Sequence, residues 1–268
     1  MLDDRKFGVE IEFIDAPADR VIEELRREGI SCQYEGYNHD NHGRWKLVYD
    51  ASVYNKNGER GLELVSPPLS GLEGLARLGK ACRALNRAGA KINKTCGLHV
   101  HHDMRDADIN VFKGLFYLYW RFENTIDNLM PNSRRGNNNK YCRSVHYINI
   151  ECFKKIKSIT DLRAFFSGWM QTGQDWRYLK LNFNAYVRHG TIEFRQHSGT
   201  IEFEKIKNWV LFTRAMINAA FDIKIAVPRK NDQDTWGSFR RNMKSWLPKE
   251  VADFYKKRIK KFAERQAA

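Results

Sequence analysis

The sequence lacks any apolar run long enough to cross a membrane. A membrane-spanning helix needs about 20 consecutive apolar residues, and no segment of the 268 residues approaches that length. The opening residues, MLDDRKFGVEIEF, also lack the apolar stretch and cleavage site of a signal peptide. We therefore expect a cytoplasmic protein with no membrane partner.

Cysteine is sparse, and its spacing excludes the usual paired-cysteine motifs. No CxxC pair occurs among the five cysteines, which are Cys32, Cys82, Cys96, Cys142 and Cys152. An odd, scattered set of cysteines predicts free thiols in a reducing compartment. A structural zinc site is not expected.

Internal repeats and low-complexity linkers are also absent, whereas apolar and basic residues are plentiful. A hydrophobic content of 42% with 13% aromatics predicts a folded globular chain. The net charge is +14, and residues 224–268 hold 13 Lys/Arg against 5 Asp/Glu, which contributes +8. Such a surplus favours a polyanionic partner such as nucleic acid or an acidic polymer, although a merely soluble basic surface is the simpler alternative.

The periodicity of the apolar residues predicts strands separated by long helices. Alternation indicates strands at 7–13, 44–53, 61–69, 96–103, 181–186 and 190–197, the last two paired through the turn VRHG. Helical spacing indicates helices at 17–29, 70–89 and 106–129, one after Thr160, one from Thr200 to about Phe221, and one at the C-terminus. This pattern predicts an α+β fold with a largely antiparallel sheet.

We expect a catalytic domain over residues 1–223, followed by a basic, aromatic helical segment over residues 224–268 that packs on it. In the last helix, Phe254 and Phe262 fall on the apolar side and are expected to be buried. The lysines of the opposite side are expected to lie in solvent; they are Lys256, Lys257, Lys260 and Lys261.

Four predicted strands share an unusual polar face. Alternate residues of a strand point to the same side, which separates the apolar residues of each strand from its acidic and imidazole residues. The polar set consists of Glu10, Glu12, Glu63, His99, His101, Asp103, Glu193, Arg195 and His197. Four amphipathic strands with solvated outer faces are one explanation. However, solvated faces usually carry Thr, Lys and Ser, whereas this face is almost wholly Glu and His.

The composition of this face predicts bound cations. Glu10 and Glu12 lie about 6.5–7 Å apart along one strand and would repel each other. Oxygen ligands with a minority of imidazole suit Mg²⁺ or Mn²⁺ better than structural zinc. Two such ions with an arginine, here Arg195, are the groups that phosphoryl transfer requires. We expect these side chains to converge in one cavity.

The ordered motifs GVEIEF, GLELVSPPL, CGLHVHHD and GTIEFRQH resemble those of the amidoligase family, which is related to glutamine synthetase and glutamate–cysteine ligase. The resemblance covers roughly residues 7–220. It implies a curved antiparallel sheet like the catalytic domain of glutamine synthetase, with ATP and divalent ions on the concave face and helices packed on the outer face. It also implies an ATP-dependent carboxylate–amine ligase. A second carboxylate after Glu63, at the spacing of glutamine synthetase, is missing.

The resemblance implies a role for each matched residue. Glu10, His99 and Glu193 would hold the ion that bridges the ATP phosphates, and Glu12 and Glu63 would hold a second ion. Arg195 would stabilise the transferring phosphoryl group, and Asp50 would accept a proton from the amine. The nucleotide or substrate pocket would include His101, Arg177, Asn182 and His197.

Other interpretations of the sequence stay open. The fold could serve a phosphotransferase to a guanidino or carboxylate group, or a nucleic-acid-binding or nucleic-acid-modifying protein. Cys142 could be a nucleophile, although plain packing is commoner for a buried cysteine. The polar loop 132–140 could bind an anion through Arg134 and Arg135, or it could be a solvated surface loop.

Overall fold

The structure is a computed structural model that describes residues 4–36, 43–168, 173, 175–229 and 231–267. In this part of the chain the fold is mixed α/β, with seven strands and ten α-helices. Backbone contacts divide the chain into two compact units. The first comprises Met1–His102 and His197–Val210, and the second comprises Asp103–Gln196 and Leu211–Ala268.

Five strands build the open sheet of the first unit, in the spatial order β2-β3-β4-β1-β5. They are β1 (Phe7–Phe13), β2 (Cys32–Gly36), β3 (Trp45–Tyr54), β4 (Arg60–Val65) and β5 (Gly97–Asp103). Pairing is antiparallel for β1 with β4, β1 with β5 and β3 with β4, as the sequence predicts. The exception is β2, which the sequence analysis missed and which pairs with β3 in parallel.

The apolar residues of β1 alternate as predicted and form part of the core. Phe7, Val9, Ile11 and Phe13 are almost completely buried. Two helices belong to the same unit, α1 (Ala18–Arg27) and α2 (Gly71–Ala88). They pack against each other and are linked by an ion pair between Arg87 Nε and Glu24 Oε2 at 2.8 Å.

A glycine follows each of these two helices. Gly29 and Gly89 follow α1 and α2 with positive φ angles of 74° and 85°, a conformation that glycine adopts without steric cost. Ser70 and Glu73 have the sequence spacing of a capping box at the start of α2. Ser70 is the N-cap residue, but its side chain makes no capping hydrogen bond.

The second unit is mainly helical. Its helices before β7 are α3 (Ile109–Arg121), α4 (Glu123–Asp127), α5 (Ile150–Lys154), α6 (Ile159–Ser167) and α7 (Asn184–His189). The single helix predicted over 106–129 is therefore interrupted, at Phe122, where φ is −108°. The helix predicted after Thr160 begins at Ile159, because Ser158 and Asp161 form a capping box there.

Residues 184–189, predicted as the end of a strand and a turn, are helical instead. Strand β6 is only Leu181–Asn182, and it pairs antiparallel with β7 (Thr191–Ser198). Asn182 explains the difference, because its Oδ1 accepts a hydrogen bond from the backbone N–H of Asn184 at 2.8 Å and so begins α7. Gly190, with φ 70°, ends the helix.

The C-terminal helices pack within the second unit. After α8 (Phe203–Asp222), which begins in the first unit, come α9 (Trp236–Asn242) and α10 (Lys249–Ala267). The ring of Phe212 contacts Phe239 and Tyr255, with centroids 5.2 and 5.0 Å away. The boundary predicted between residues 223 and 224 stays a prediction. No helix in the described part of the chain is long and apolar enough to cross a membrane.

The apolar side of α10 differs from the prediction in which residues it buries. Val251 and Tyr255 are completely buried, whereas Phe254 and Phe262 are only partly buried, so the expectation of burial for these two is wrong. Arg258 lies over the Phe262 ring at 4.9 Å and donates to the carbonyl of Leu129 at 2.7 Å, so an arginine covers this ring. The four predicted solvent lysines are exposed.

Candidate active site

Acidic and imidazole side chains meet on one face of β1, β4 and β5 in the first unit. Strand register places Glu12 directly opposite Glu63 of β4, and Glu10 directly opposite His99 of β5. Residues directly opposite in a sheet project to the same side. Strand pairing therefore brings together four residues from three separate parts of the chain, around positions 10, 63 and 99.

Short contacts connect the members of this cluster. His99 contacts Glu10 through Nδ1, 2.9 Å from Oε2, and Glu12 through Nε2, 3.5 Å from Oε1. His101 contacts the other oxygen of Glu10, with 3.2 Å between Nε2 and Oε1. Glu12 also accepts a hydrogen bond from the backbone N–H of Gly97. The imidazoles thus lie between and beside the carboxylates.

Polar residues of this face are buried, which excludes the explanation that the face is simply exposed to solvent. The exposed fractions of Glu12, Glu63 and His99 are 3%, 9% and 4%. Each of the three offers one ligand atom, and these atoms all lie within 4.8 Å of one another. Glutamate and aspartate are rarely buried without a compensating partner, so this group is a candidate cation site.

The electrostatics of the cluster favour positive charge. Burial, together with the nearby carboxylates of Glu10, Glu12 and Asp50, raises the pKa of Glu63 well above its ordinary value. Burial also acts to raise the pKa of Glu10, but hydrogen bonds and attraction from His101 and His99 outweigh it, so this pKa is lowered. A cation among these oxygens would relieve the repulsion that acts on Glu63.

Asp50 lies on β3 between Tyr49 and Tyr54, where the pairing with β4 is irregular. Its Oδ1 accepts two hydrogen bonds from Ser52, one from the backbone N–H and one from the hydroxyl, both at 2.6 Å. Its charge contributes to the raised pKa of Glu63, which places it in the electrostatic neighbourhood of the cluster. The second oxygen of Asp50 takes part in neither bond.

Lys46 is a residue of this face that the sequence analysis missed. It lies on β3 opposite Val65, which is itself opposite Glu10, and only 6% of it is exposed. The sequence pattern could have indicated it, because Lys46 is two and four positions before Val48 and Asp50 and therefore shares their side of the strand. We assign it no role in the chemistry.

In the second unit, β7 holds Glu193 and Arg195 side by side. Glu193 is 3% exposed; its Oε1 accepts from Nη1 of Arg195 at 2.5 Å and its Oε2 accepts from the amide of Asn182 at 2.6 Å. Both oxygens are therefore oriented by donors from neighbouring side chains. The predicted place of Glu193 in the metal site stays a prediction.

Arg195 is held by its surroundings in a single orientation. Its Nε donates to the backbone carbonyl of Tyr141 at 3.3 Å, and its guanidinium lies 5.9 Å from the centre of the Tyr178 ring. Arg177 lies over the same ring at 4.8 Å, donates to the Tyr178 hydroxyl at 2.7 Å, and pairs with Asp175. Two guanidinium groups are thus gathered around one aromatic ring.

Two predicted residues are more deeply buried than a ligand-binding role suggests. His197 has no exposed surface, its Nδ1 lies 2.7 Å from the carbonyl of Ser198, and its ring centre is 5.5 Å from that of Trp209. Its role in cofactor binding stays a prediction. Burial raises the pKa of the Cys142 thiol despite nearby Arg134, Lys180 and Arg195, which favours packing over nucleophilic attack. All five cysteines are free, as predicted.

A buried ionic network supports the segment that carries Tyr141. Lys180 Nζ lies 2.6 Å from both Glu123 Oε1 and Asp127 Oδ1, and its side chain has no exposed surface. Glu123 Oε2 accepts from Ser144 and from the backbone of Val145, and Asp127 Oδ2 accepts from the backbone of Gly136. Loop 132–140 is therefore fixed at one point by a buried carboxylate.

The sequence model of the family described as "Putative amidoligase enzyme" matches residues 3–217. The chain belongs to this amidoligase family. The match includes β1, β4, β5 and β7, the strands that carry the predicted site residues. A search of curated proteins gave no match.

Proposed function

We propose that this amidoligase is an ATP-dependent carboxylate–amine ligase that forms an amide through an acyl phosphate and uses Mg²⁺ or Mn²⁺. Family membership supports a ligase. The observation that carries the rest is the buried group of Glu12, Glu63 and His99, whose ligand atoms lie within 4.8 Å of one another. Buried carboxylates with one imidazole are a donor set for a hard divalent ion.

The residues present fit such ions. Glu12 and Glu63 would hold one ion, and Glu10, His99 and Glu193 are proposed for the other, with His101 near the nucleotide phosphates. His99 contacts both Glu10 and Glu12. When bound, the ions supply positive charge that neutralises phosphate oxygens during phosphoryl transfer. Asn182 would orient Glu193, because its amide already donates to that carboxylate.

The chain's own groups would serve both steps of the reaction. First, a substrate carboxylate oxygen bonds to the γ-phosphorus of ATP, the bond to the β–γ bridging oxygen breaks, and ADP leaves. Arg195 would stabilise the charge that develops on the transferred group. Next, the amine nitrogen bonds to the acyl carbon, phosphate leaves, and Asp50 accepts the proton that the amine loses.

Arginines around Tyr178 would contribute to the binding of anionic substrate groups. Arg177 already has one carboxylate partner, Asp175, and its Nη2 donates to Tyr178. Its fork of donors suits a phosphate or carboxylate. The carboxylate and the amine are proposed to be small molecules or parts of a polymer, and a polyanionic acceptor such as nucleic acid is consistent with the net charge of +14.

The direct test is mass spectrometry of reactions that contain ATP, Mg²⁺ and pooled metabolites. We expect ADP, phosphate and a product whose mass equals acid plus amine minus water. ADP with a phosphorylated product and no need for an amine would identify a phosphotransferase. An absence of ATP turnover with every pool, at saturating Mg²⁺ or Mn²⁺, would contradict an enzyme of either class.

Removing a carboxylate of the cluster should weaken metal binding before any substrate is known. We expect Glu63→Gln to lower the affinity for Mn²⁺ at least tenfold, because loss of even an outer-shell partner typically costs about 10–100-fold. Isothermal titration calorimetry and the Mn²⁺ electron paramagnetic resonance signal measure the affinity. The matched control is Glu73→Gln, which neutralises an exposed carboxylate on α2 of the same unit. Equal Mn²⁺ affinity in both variants would refute the assigned site.

A further inference from the structure

Helix α10 separates its lysines from its apolar residues. At 3.6 residues per turn, Lys249, Lys256, Lys257, Lys260 and Lys261 fall within an arc of about 140°, and all five are exposed. At 1.5 Å per residue they extend over about 18 Å of the helix. The opposite side is buried within the chain's own second unit through Val251 and Tyr255. The basic side is therefore left facing solvent.

The acidic residues on this side neutralise only part of its charge. Lys249 pairs with Asp253 at 2.8 Å and Lys260 with Glu264 at 3.8 Å, and every side chain in these pairs is well exposed. Exposed pairs of this kind contribute little and are screened by salt. From Trp236 to Glu264 the chain holds nine Lys/Arg against three Asp/Glu. The surface of α9 and α10 thus keeps a strong positive potential.

A hollow between α9 and α10 continues the basic surface. Its volume is about 270 Å³, and its lining is basic at three positions and apolar at three: Arg240, Lys244, Lys249, Met243, Leu247 and Ala252. Lys249 belongs both to the hollow and to the lysine row of α10. The two features therefore form one continuous surface, which we call the α9–α10 basic surface.

We infer that the α9–α10 basic surface binds the phosphate backbone of double-stranded nucleic acid. A duplex carries one charge per about 1.7 Å of its axis when both strands are counted, so a segment as long as the lysine row, about 18 Å, carries roughly ten phosphates. The surface offers ammonium and guanidinium groups, which contact phosphates without reading the base sequence. No residue of the surface belongs to the proposed active site, so the inference does not rest on the proposed ligase reaction.

The aromatic residues of the region favour a duplex over a single strand. Single-strand binding without sequence preference depends on exposed aromatic side chains on which bases stack. Here Trp246 donates through Nε1 to Asp222 at 2.6 Å, and Trp236 stacks on Phe239 with 5.6 Å between ring centres. Both rings are engaged within the protein and are only partly exposed.

The test compares the full chain with a variant that carries glutamine at Lys256, Lys257, Lys260 and Lys261. Fluorescence anisotropy with a labelled 20-base-pair DNA measures Kd from 50 to 200 mM salt. The slope of log Kd against log salt should fall by about 0.9 for each lost phosphate contact. We expect a decrease of two to four contacts and at least tenfold weaker binding at low salt, with an unchanged melting temperature.

The control variant has the same net charge but leaves the surface intact. It carries glutamine at four exposed lysines of the first unit, which are Lys56, Lys80, Lys91 and Lys94. We expect it to bind DNA as the unmodified protein does. The inference is overturned if both variants lose the same affinity, if neither does, or if single-stranded DNA or polyglutamate of equal charge binds the surface more tightly than the duplex.

Discussion

Replacing Arg195 by alanine should lower ATP turnover by about 10²–10³-fold, the usual effect of losing one preorganised donor to the transition state. In the structure the guanidinium is already fixed, by Glu193 on one side and the carbonyl of Tyr141 on the other. A group held in this way needs no reorganisation when charge develops on the transferring phosphoryl group. The decrease should therefore appear in kcat, with a smaller change in the KM for ATP.

Two further variants separate charge from position. Arg195→Lys keeps the positive charge but loses the planar fork that contacts both partners, so we expect an intermediate turnover. Arg188→Ala removes an exposed arginine from the end of α7 and should leave turnover unchanged. If Arg195→Ala is folded, as judged by circular dichroism, and turns over ATP at the normal rate, Arg195 has no part in the reaction.

The alternation of side chains made it possible to predict from sequence which face of its strand each site residue occupies. In β1, the buried positions Phe7, Val9, Ile11 and Phe13 leave Glu10 and Glu12 on the other face, whatever strand lies beside them. The sequence does not contain the register between strands in any local pattern. Only the structure shows that Glu63 lies opposite Glu12 and His99 opposite Glu10.

Residues that depend on distant partners were not predictable. Lys180 precedes a strand of only two residues, and its carboxylate partners lie on α4, more than 50 positions away along the chain. No periodicity connects such positions. Likewise, β2 is a short edge strand whose parallel pairing with β3 leaves no mark in the alternation of its own residues.

Local competition between backbone structures accounts for the helix α7, which forms where a strand end and a turn were predicted. LNFNAY alternates like a strand, but Asn182 caps the following turn with its side chain, and α7 forms in place of further strand pairing. Asn at such a position satisfies a free N–H at the start of a helix. The same Asn182 donates to Glu193, so one residue both ends the strand and orients a proposed metal ligand.

The largest expected effect on stability comes from Lys180, the cation of the buried network. Lys180→Met would leave Glu123 and Asp127 buried without their common partner, and breaking a buried ion pair in this way typically costs about 3–5 kcal/mol. Burial acts to lower the pKa of Lys180, but the two carboxylates outweigh it, so this pKa is raised. A raised lysine pKa gives stabilisation that is fully present below the unfolded value near 10.4 and is lost only as pH rises through the folded value. At pH 7–9 Lys180 therefore contributes its full stabilisation, and Lys180→Met should show its full destabilising effect in this range.

A double-mutant cycle tests whether charge is the cause. Glu123→Gln keeps an acceptor for Ser144 and Val145, so combining it with Lys180→Met removes a stranded charge, and the double variant should lose less than the sum of the two single losses. Urea unfolding followed by hydrogen exchange on peptides of the second unit gives the free energies. Lys154→Met, which breaks an exposed pair with Glu151, is the control and should change stability by less than about 0.5 kcal/mol. A Lys180→Met loss no larger than that of the control would show that the network is not what stabilises loop 132–140 and the Tyr141 carbonyl that holds Arg195.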